Sequence, residues 1–141
     1  MGIDRIFGVS GSALNAQSAR LNTVASNLAN ANSVASSESE AFRAKRTVFK
    51  ALVQDQLRPQ EAPYSGGVKI DKLVDDPSPV RRVYEPGNPL ADKEGYVYAS
   101  NVNEMTEMVE MMAASRAYQN NVEVVNTARQ LMLRTLDVIR N

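Results

Sequence analysis

Two stretches of apolar periodicity bracket a segment that has none. From Ile3 to about Asn30, Phe7, Leu14, Leu21 and Leu28 recur every seven residues, and Ile3 and Val24 take the companion position of the same heptad. That spacing predicts a helix with one apolar stripe. Ser10 and Gln17 fall in the companion row, so the seam is imperfect. Asn27, Asn30, Asn32 and Ser33 are expected to mark its end, because Asn tolerates left-handed caps and turns. From about Val102 to Ile139 a longer pattern runs through Met108, Met111, Ser115, Tyr118, Val122, Val125, Met132, Leu136 and Ile139, broken at Arg129. Met105, Met112 and Leu133 widen this stripe beyond a two-stranded seam, which predicts more than one partner helix. At 1.5 Å per residue the two helices would be about 40 Å and about 55 Å long. An elongated molecule follows.

Between them lie all six prolines and no sustained helical period. Thr47-Val48-Phe49, Val68-Lys69-Ile70 and Tyr96-Val97-Tyr98 read as short strands. Ser65-Gly66-Gly67, Glu85-Pro86-Gly87-Asn88-Pro89 and Lys93-Glu94-Gly95 read as turns. Ser33 to Glu40 reads as a polar, mobile loop. The chain therefore divides into an N-terminal helix over 1–32, a loop and β-rich middle over 33–101, and a long C-terminal helix over 102–141. The fold class is mainly α with a small β-rich middle. The terminal helices are expected to pair as an elongated coiled coil or bundle.

Charge sharpens this division. Residues 1–32 carry only Asp4, Arg5 and Arg20, whereas the middle carries ten acids and ten bases. A lone surface helix has a charged outer face, so the sparsely charged first helix suits burial among other proteins, with packing inside its own monomer as the alternative. In the last helix Glu104, Glu107 and Glu110 come first and Arg129, Arg134 and Arg140 last, an order that complements the helix dipole.

Over the whole chain 16 bases balance 16 acids, so no net field gathers nucleic acid or anionic lipid. Cys and His are both absent. That removes disulfides, thiolate nucleophiles, imidazole bases and most transition-metal sites. No run reaches the roughly 20 apolar residues of a spanning helix. The start, Met1 to Phe7, has no secretory apolar region. The glutamates 104, 107 and 110 share one helical region rather than facing each other across a cleft, which argues against glycosidase chemistry. Asp71, Asp75 and Asp76 lack the spacing of a calcium loop and read as solvated acids. Arg43, Lys45, Arg46 and Lys50, with Arg81-Arg82, form basic clusters too poor in aromatics for a nucleic-acid platform. The expectation is no catalytic residue, no metal and no cofactor. Met105, Met108, Met111 and Met112 read as a core stripe, with an adaptable binding surface as the alternative.

Three longer motifs go further than periodicity. Ala25-Ser26-Asn27-Leu28-Ala29-Asn30-Ala31-Asn32 resembles the N-terminal signature of the flagellar axial proteins of rod and hook. The Thr-x-Gly-Tyr/Phe turn of most of that family is replaced by residues 33–41 and Phe42-Arg43-Ala44-Lys45. Val83 to Asp92, with Glu85-Pro86-Gly87-Asn88-Pro89 at its centre, resembles the middle of one rod-subunit branch. Glu107 to Glu123, with Ser115, Arg116 and Tyr118, resembles the family's C-terminal helix. The resemblance runs from about Ile3 to Leu136. It implies a structural subunit of the proximal rod in the periplasm, exported by the flagellar type III apparatus without a cleaved signal peptide. Its partners would be copies of itself and the neighbouring rod proteins FlgB, FlgF and FlgG. The helices would form an inner coiled-coil layer of a torque-transmitting shaft, with the middle outward. The assembly interface is then expected at Ile3, Phe7, Leu14, Leu21, Val24, Leu28, Met108, Met111, Tyr118, Val122, Val125, Met132, Leu136 and Ile139.

Overall fold

The computed structural model describes residues 3–52 and 66–140. Helix α1 spans Ile3–Ala29 and helix α2 spans Glu104–Arg140, with strands β1 (Val34–Ala35), β2 (Lys45–Ala51), β3 (Val68–Asp75), β4 (Arg81–Tyr84) and β5 (Tyr96–Ala99) between them. Both helices fall where the apolar period places them. The three expected strands lie inside β2, β3 and β5. Of the expected turns, Ser65 lies outside the described residues, while Gly66 and Gly67 both take positive φ.

Two corrections concern strands. The stretch from Ser33 to Glu40 is not wholly loop: Val34 and Ala35 pair antiparallel with Ala99 and Tyr98 of β5. The pair is short and lies in a serine-rich context, so no local alternation announces it. Strand β4 also escapes the sequence reading, because Arg81 and Arg82 read as a basic cluster. It pairs antiparallel with β5, Arg81 opposite Ala99 and Tyr84 opposite Tyr96. The resulting sheet has the order β1-β5-β4, and β2 pairs with β3 in a second sheet.

The chain forms two compact units, each built from segments distant in sequence. Of the described residues, one comprises 3–20, 48–52, 66–72 and 113–140; the other comprises 21–47 and 73–112. In the second unit the three-stranded sheet turns Val97 and Ala99 inward along β5. A small cluster of Ala31, Ala44 and Val102 with Phe42 packed against it forms a hydrophobic core. In the first unit, Ser12 of α1 takes the backbone N–H of Val68 at 3.1 Å while donating its hydroxyl to Val9 at 2.7 Å. This anchors the start of β3 to α1.

The end of α1 corrects another expectation. No non-glycine residue has positive φ among the described residues, so no asparagine supplies a left-handed cap. The helix instead tightens into i to i+3 bonds, with Ala31 N–H on Leu28 carbonyl and Ser33 N–H on Asn30 carbonyl. Such tightening satisfies helix-end carbonyls without a left-handed residue. Helix α2 begins on an asparagine N-cap: Asn103 Oδ1 accepts from Thr106 N–H at 3.1 Å, the ordinary chemistry of that position.

Candidate assembly site

The second unit holds a polar node built on Asn27, the buried asparagine of α1. Its side-chain amide pairs with the backbone of Lys45 as a neighbouring strand would. Oδ1 accepts from Lys45 N–H at 2.9 Å and Nδ2 donates to Lys45 carbonyl at 2.9 Å. The remaining amide hydrogen goes to Glu107 Oε2 at 3.0 Å. Both donors of this fully buried amide are used.

Glu107 was grouped by sequence with the dipole-complementing acids of α2. It does sit in the first turn, yet it is 0% exposed. Its other oxygen accepts from Arg46 Nη1 at 2.5 Å. A buried carboxylate is tolerated when paired and hydrogen-bonded, and both conditions hold. Arg46, partly open to solvent, also reaches Asp76 at 3.5 Å. The reading of Asp76 as a solvated acid is thus corrected, while Asp75 is largely open to solvent as expected. Lys45 Nζ lies 2.8 Å from Asp75, and Asp76 is shielded between Arg46 and Ser78. Hydrogen bonds from Ser78, hydroxyl first and backbone N–H second, hold the Asp76 carboxyl below the usual carboxylate range against its partial burial, and Arg46 adds to the effect.

A second asparagine completes the clamp. Asn101 Oδ1 accepts from Ala44 N–H at 2.7 Å, and its Nδ2 donates to the carbonyls of Asp76 at 3.2 Å and Ser78 at 2.8 Å. Ala44 carbonyl in turn accepts from Asp76 N–H at 2.7 Å. The segment Phe42-Arg43-Ala44-Lys45 is therefore held by two side-chain amides and a main-chain bond. Arg43 is tied to Ser78 carbonyl and Glu38, so Arg43, Lys45 and Arg46 of this basic cluster each meet an acid within the chain. Node chemistry of this kind fixes elements together: each carboxylate and amide faces protein. Among the described residues no group of His, Cys, Asp or Glu is arranged to hold a metal ion.

The turn motif is equally specific. Glu85 N–H bonds Gly95 carbonyl at 2.9 Å, Asn88 N–H bonds Glu85 carbonyl at 3.0 Å, and Asn88 Nδ2 bonds Glu85 Oε2 at 2.9 Å. Pro86, Gly87 and Pro89 lie in this turn. Arg82 sits 4.0 Å above the Tyr96 ring, which meets Tyr84 edge-on at 5.1 Å between centroids. Arg82 also pairs with Glu94 at 2.6 Å and Asp92 at 3.5 Å. Its pKa is raised, chiefly by the hydrogen bond with Glu94. Asp92 is held low, chiefly by Tyr96 N–H.

The heptad positions divide unevenly. On α1, Phe7, Leu14, Leu21 and Leu28 are half-buried while Val24 is buried. The most enclosed row is the companion one, with Ser10, Val24 and, just past the helix, Ala31 all at or below 5% exposure. On α2 the enclosed residues are Glu107, Ala114 and Ala128, one position before the row of Met108, Ser115, Val122 and Arg129. Met111 and Val125 are half-buried beside them. Met108, Tyr118, Val122, Met132 and Leu136 are exposed, as are Met105, Val109, Met112, Leu131, Leu133 and Val138. The side chains of Ile3 and Ile139 lie outside the described residues. Of the motif residues on the helices, Ser26 and Arg116 are exposed, Ser115 is half-buried, and Asn30 folds its amide back onto Ser26 carbonyl at 2.8 Å. The roles of Asn27, Asn101 and Glu107 were missed by sequence reasoning. Only the motif containing Asn27 signalled that something specific stood there.

Residues 7–35 match the family model described as flagella basal body rod protein, and residues 93–138 match that of the flagellar basal body rod FlgEFG protein C-terminal. The flagellar basal-body rod protein FlgC of Yersinia enterocolitica is 50% identical over 136 residues, covering 96% of this chain and 97% of its own. The protein of the same name from Salmonella typhimurium is also 50% identical over 136 residues with the same coverage. That of Buchnera aphidicola subsp. Acyrthosiphon pisum is 44% identical over 140 residues, 98% of each chain. With half of its residues shared along nearly its whole length, the chain belongs to the FlgC family of flagellar basal-body rod proteins, a structural and non-enzymatic family.

Proposed function

We propose that the chain is a proximal-rod subunit that assembles through its terminal helices into a torque-transmitting shaft. The observation that carries this is the inverted use of α2. Its enclosed row is made of Glu107, Ala114 and Ala128, while Met105, Met108, Val109, Met112, Leu131, Leu133, Leu136 and Val138 face outward. Exposed apolar side chains in such numbers mark a site of association, and burying them between copies supplies the driving force.

On this reading the 1–32 and 102–141 segments associate as a coiled-coil inner layer, and the 33–101 segment lies outward. The interface includes Ile3, Phe7, Leu14, Leu21, Val24, Leu28, Met108, Met111, Tyr118, Val122, Val125, Met132, Leu136 and Ile139. Partners are further copies of this chain and the rod proteins FlgB, FlgF and FlgG, in the periplasmic part of the basal body. Delivery is by the flagellar type III apparatus, and among the described residues no helix is long and apolar enough to cross a membrane.

Leu136→Asp tests the reading. Leu136 is 53% exposed, so the substitution leaves the free subunit folded, but it puts a charge in the assembled seam. The expected result is a non-motile cell whose basal bodies lack the subunit. Normal swimming with normal incorporation would overturn the interface.

A further inference from the structure

In the heptad row of α1 that carries the enclosed Ser10 and Val24, the half-buried Gln17 has one side-chain atom without a hydrogen-bonding partner among the described residues. Gln17 lies between Ser10 and Val24 in the heptad register, and its Oε1 is buried without a donor. It is the only such side-chain atom among the described residues. A buried acceptor left unmade weakens a fold far more than a mean hydrogen bond strengthens it. Leucine at this position would complete the stripe that Val24 begins.

The rest of the enclosed surface points the same way. Ser10, Ala16, Ala114 and Ala128 offer little apolar area, whereas many larger apolar side chains of α2, Leu131, Met132 and Leu136 among them, stand outside. The subunit keeps its better packing material for elsewhere. We infer that Gln17 is a built-in weakness of the free subunit, which holds the inner row of α1 loose and so favours its repacking among neighbouring copies. A polar residue in an otherwise apolar heptad row trades stability for choice of partner and register in just this manner. The inference rests on the assembly reading above and adds to it a residue that governs the balance between lone and assembled subunit.

Two substitutions test it in the full chain, Gln17→Leu and the unbranched Gln17→Met. Thermal unfolding of the purified subunit is followed by circular dichroism, and incorporation is measured in basal bodies from cells carrying each variant in place of the native protein. Both variants are expected to unfold about 4 °C or more above the native chain, and to enter basal bodies several-fold less. Gln119→Leu, on an exposed position of α2, serves as control and is expected to leave the midpoint unchanged. An unchanged or lowered midpoint in both Gln17 variants overturns the inference. So does a raised midpoint with undiminished incorporation, or an equal rise in the control. Failure of the assembly reading would show separately, as normal incorporation of Leu136→Asp.

Discussion

Replacing Asn27 tests whether the polar node or the apolar cluster beside it holds the second unit together. Asn27→Ala removes three hydrogen bonds, two to the Lys45 backbone and one to Glu107. At about 1 kcal/mol net per bond the loss is about 3 kcal/mol, a large part of the 5–15 kcal/mol typical of a domain. In urea, with a slope of about 1.5 kcal/mol per molar, the midpoint should fall by about 2 M. Asn27→Asp is the sharper variant because its shape is unchanged. It keeps the acceptor for Lys45 N–H but turns the donor into an oxygen facing Lys45 carbonyl at 2.9 Å and Glu107 Oε2 at 3.0 Å. Two carboxylates so close cannot both ionise, so the introduced acid has a raised folded-state pKa. The folded state then binds more protons than the unfolded one, and stability falls as pH rises. Asn27→Asp should therefore be weaker than Asn27→Ala at about pH 7 and recover on acidification towards about pH 5. Adding Glu107→Gln restores a donor to the pair and should recover part of the loss, a coupling that a double-mutant cycle reads directly. Asn22→Ala, at an exposed position of the same helix, should stay within about 0.5 kcal/mol of native. If Asn27→Ala unfolds at the native midpoint, or Asn27→Asp shows no pH dependence beyond the native chain's, the node does not stabilise the fold.

Gly95 has φ of 85°, and a Cβ there would lie 2.9 Å from Tyr84 Cε2 and 3.2 Å from Pro86 Cβ. Gly95→Ala should cost about 2 kcal/mol in urea unfolding, and an unchanged midpoint would mean the turn is free to rearrange. The lowered pKa of Asp76 means its folded state binds fewer protons, so its contribution is present above the unfolded value of 3.8 and is lost as pH falls through the folded one. Asp76→Asn should flatten the stability profile in that acid range; an identical acid profile would remove Asp76 from the account. Dilute subunit should show less helix by circular dichroism than the 27 and 37 residues of α1 and α2 would give if fully formed, because exposed apolar helices gain most of their stability from packing. Full helicity at low concentration would sink the idea that assembly orders the termini.

The helices were legible because their period extends over many residues, and their bounds fall within two residues of the expected ones. Strands with local β-propensity, at Val48-Phe49, Val68 and Tyr96-Val97-Tyr98, were legible for the same reason. Strands β1 and β4 were not: β1 exists only by pairing with β5 across a long sequence gap, and β4 opens on two arginines that read as a charged cluster. The node was the least legible element. Asparagine near a helix end ordinarily signals a cap, and glutamate in a first turn ordinarily answers the dipole. Nothing local to Asn27 or Glu107 states that each is buried against the other. Heptad arithmetic found the apolar stripes but did not say which row the chain encloses. In α2 the small residues Ala114 and Ala128 take that place, one step round from the larger side chains.

The Asn27–Glu107 bond also constrains when the second unit can close. Its partners stand 80 positions apart, and Lys45, Asp76 and Asn101 come between them in the sequence. A chain threaded lengthwise, first residue leading, carries Asn27 forward with its amide unclaimed until α2 has followed. The clamp on Ala44 likewise waits for Asn101. Closing so wide a loop is an entropic cost met late. The first turn of α2, with Asn101 just before it, thus acts as a latch that closes only after the earlier residues of the second unit are in place.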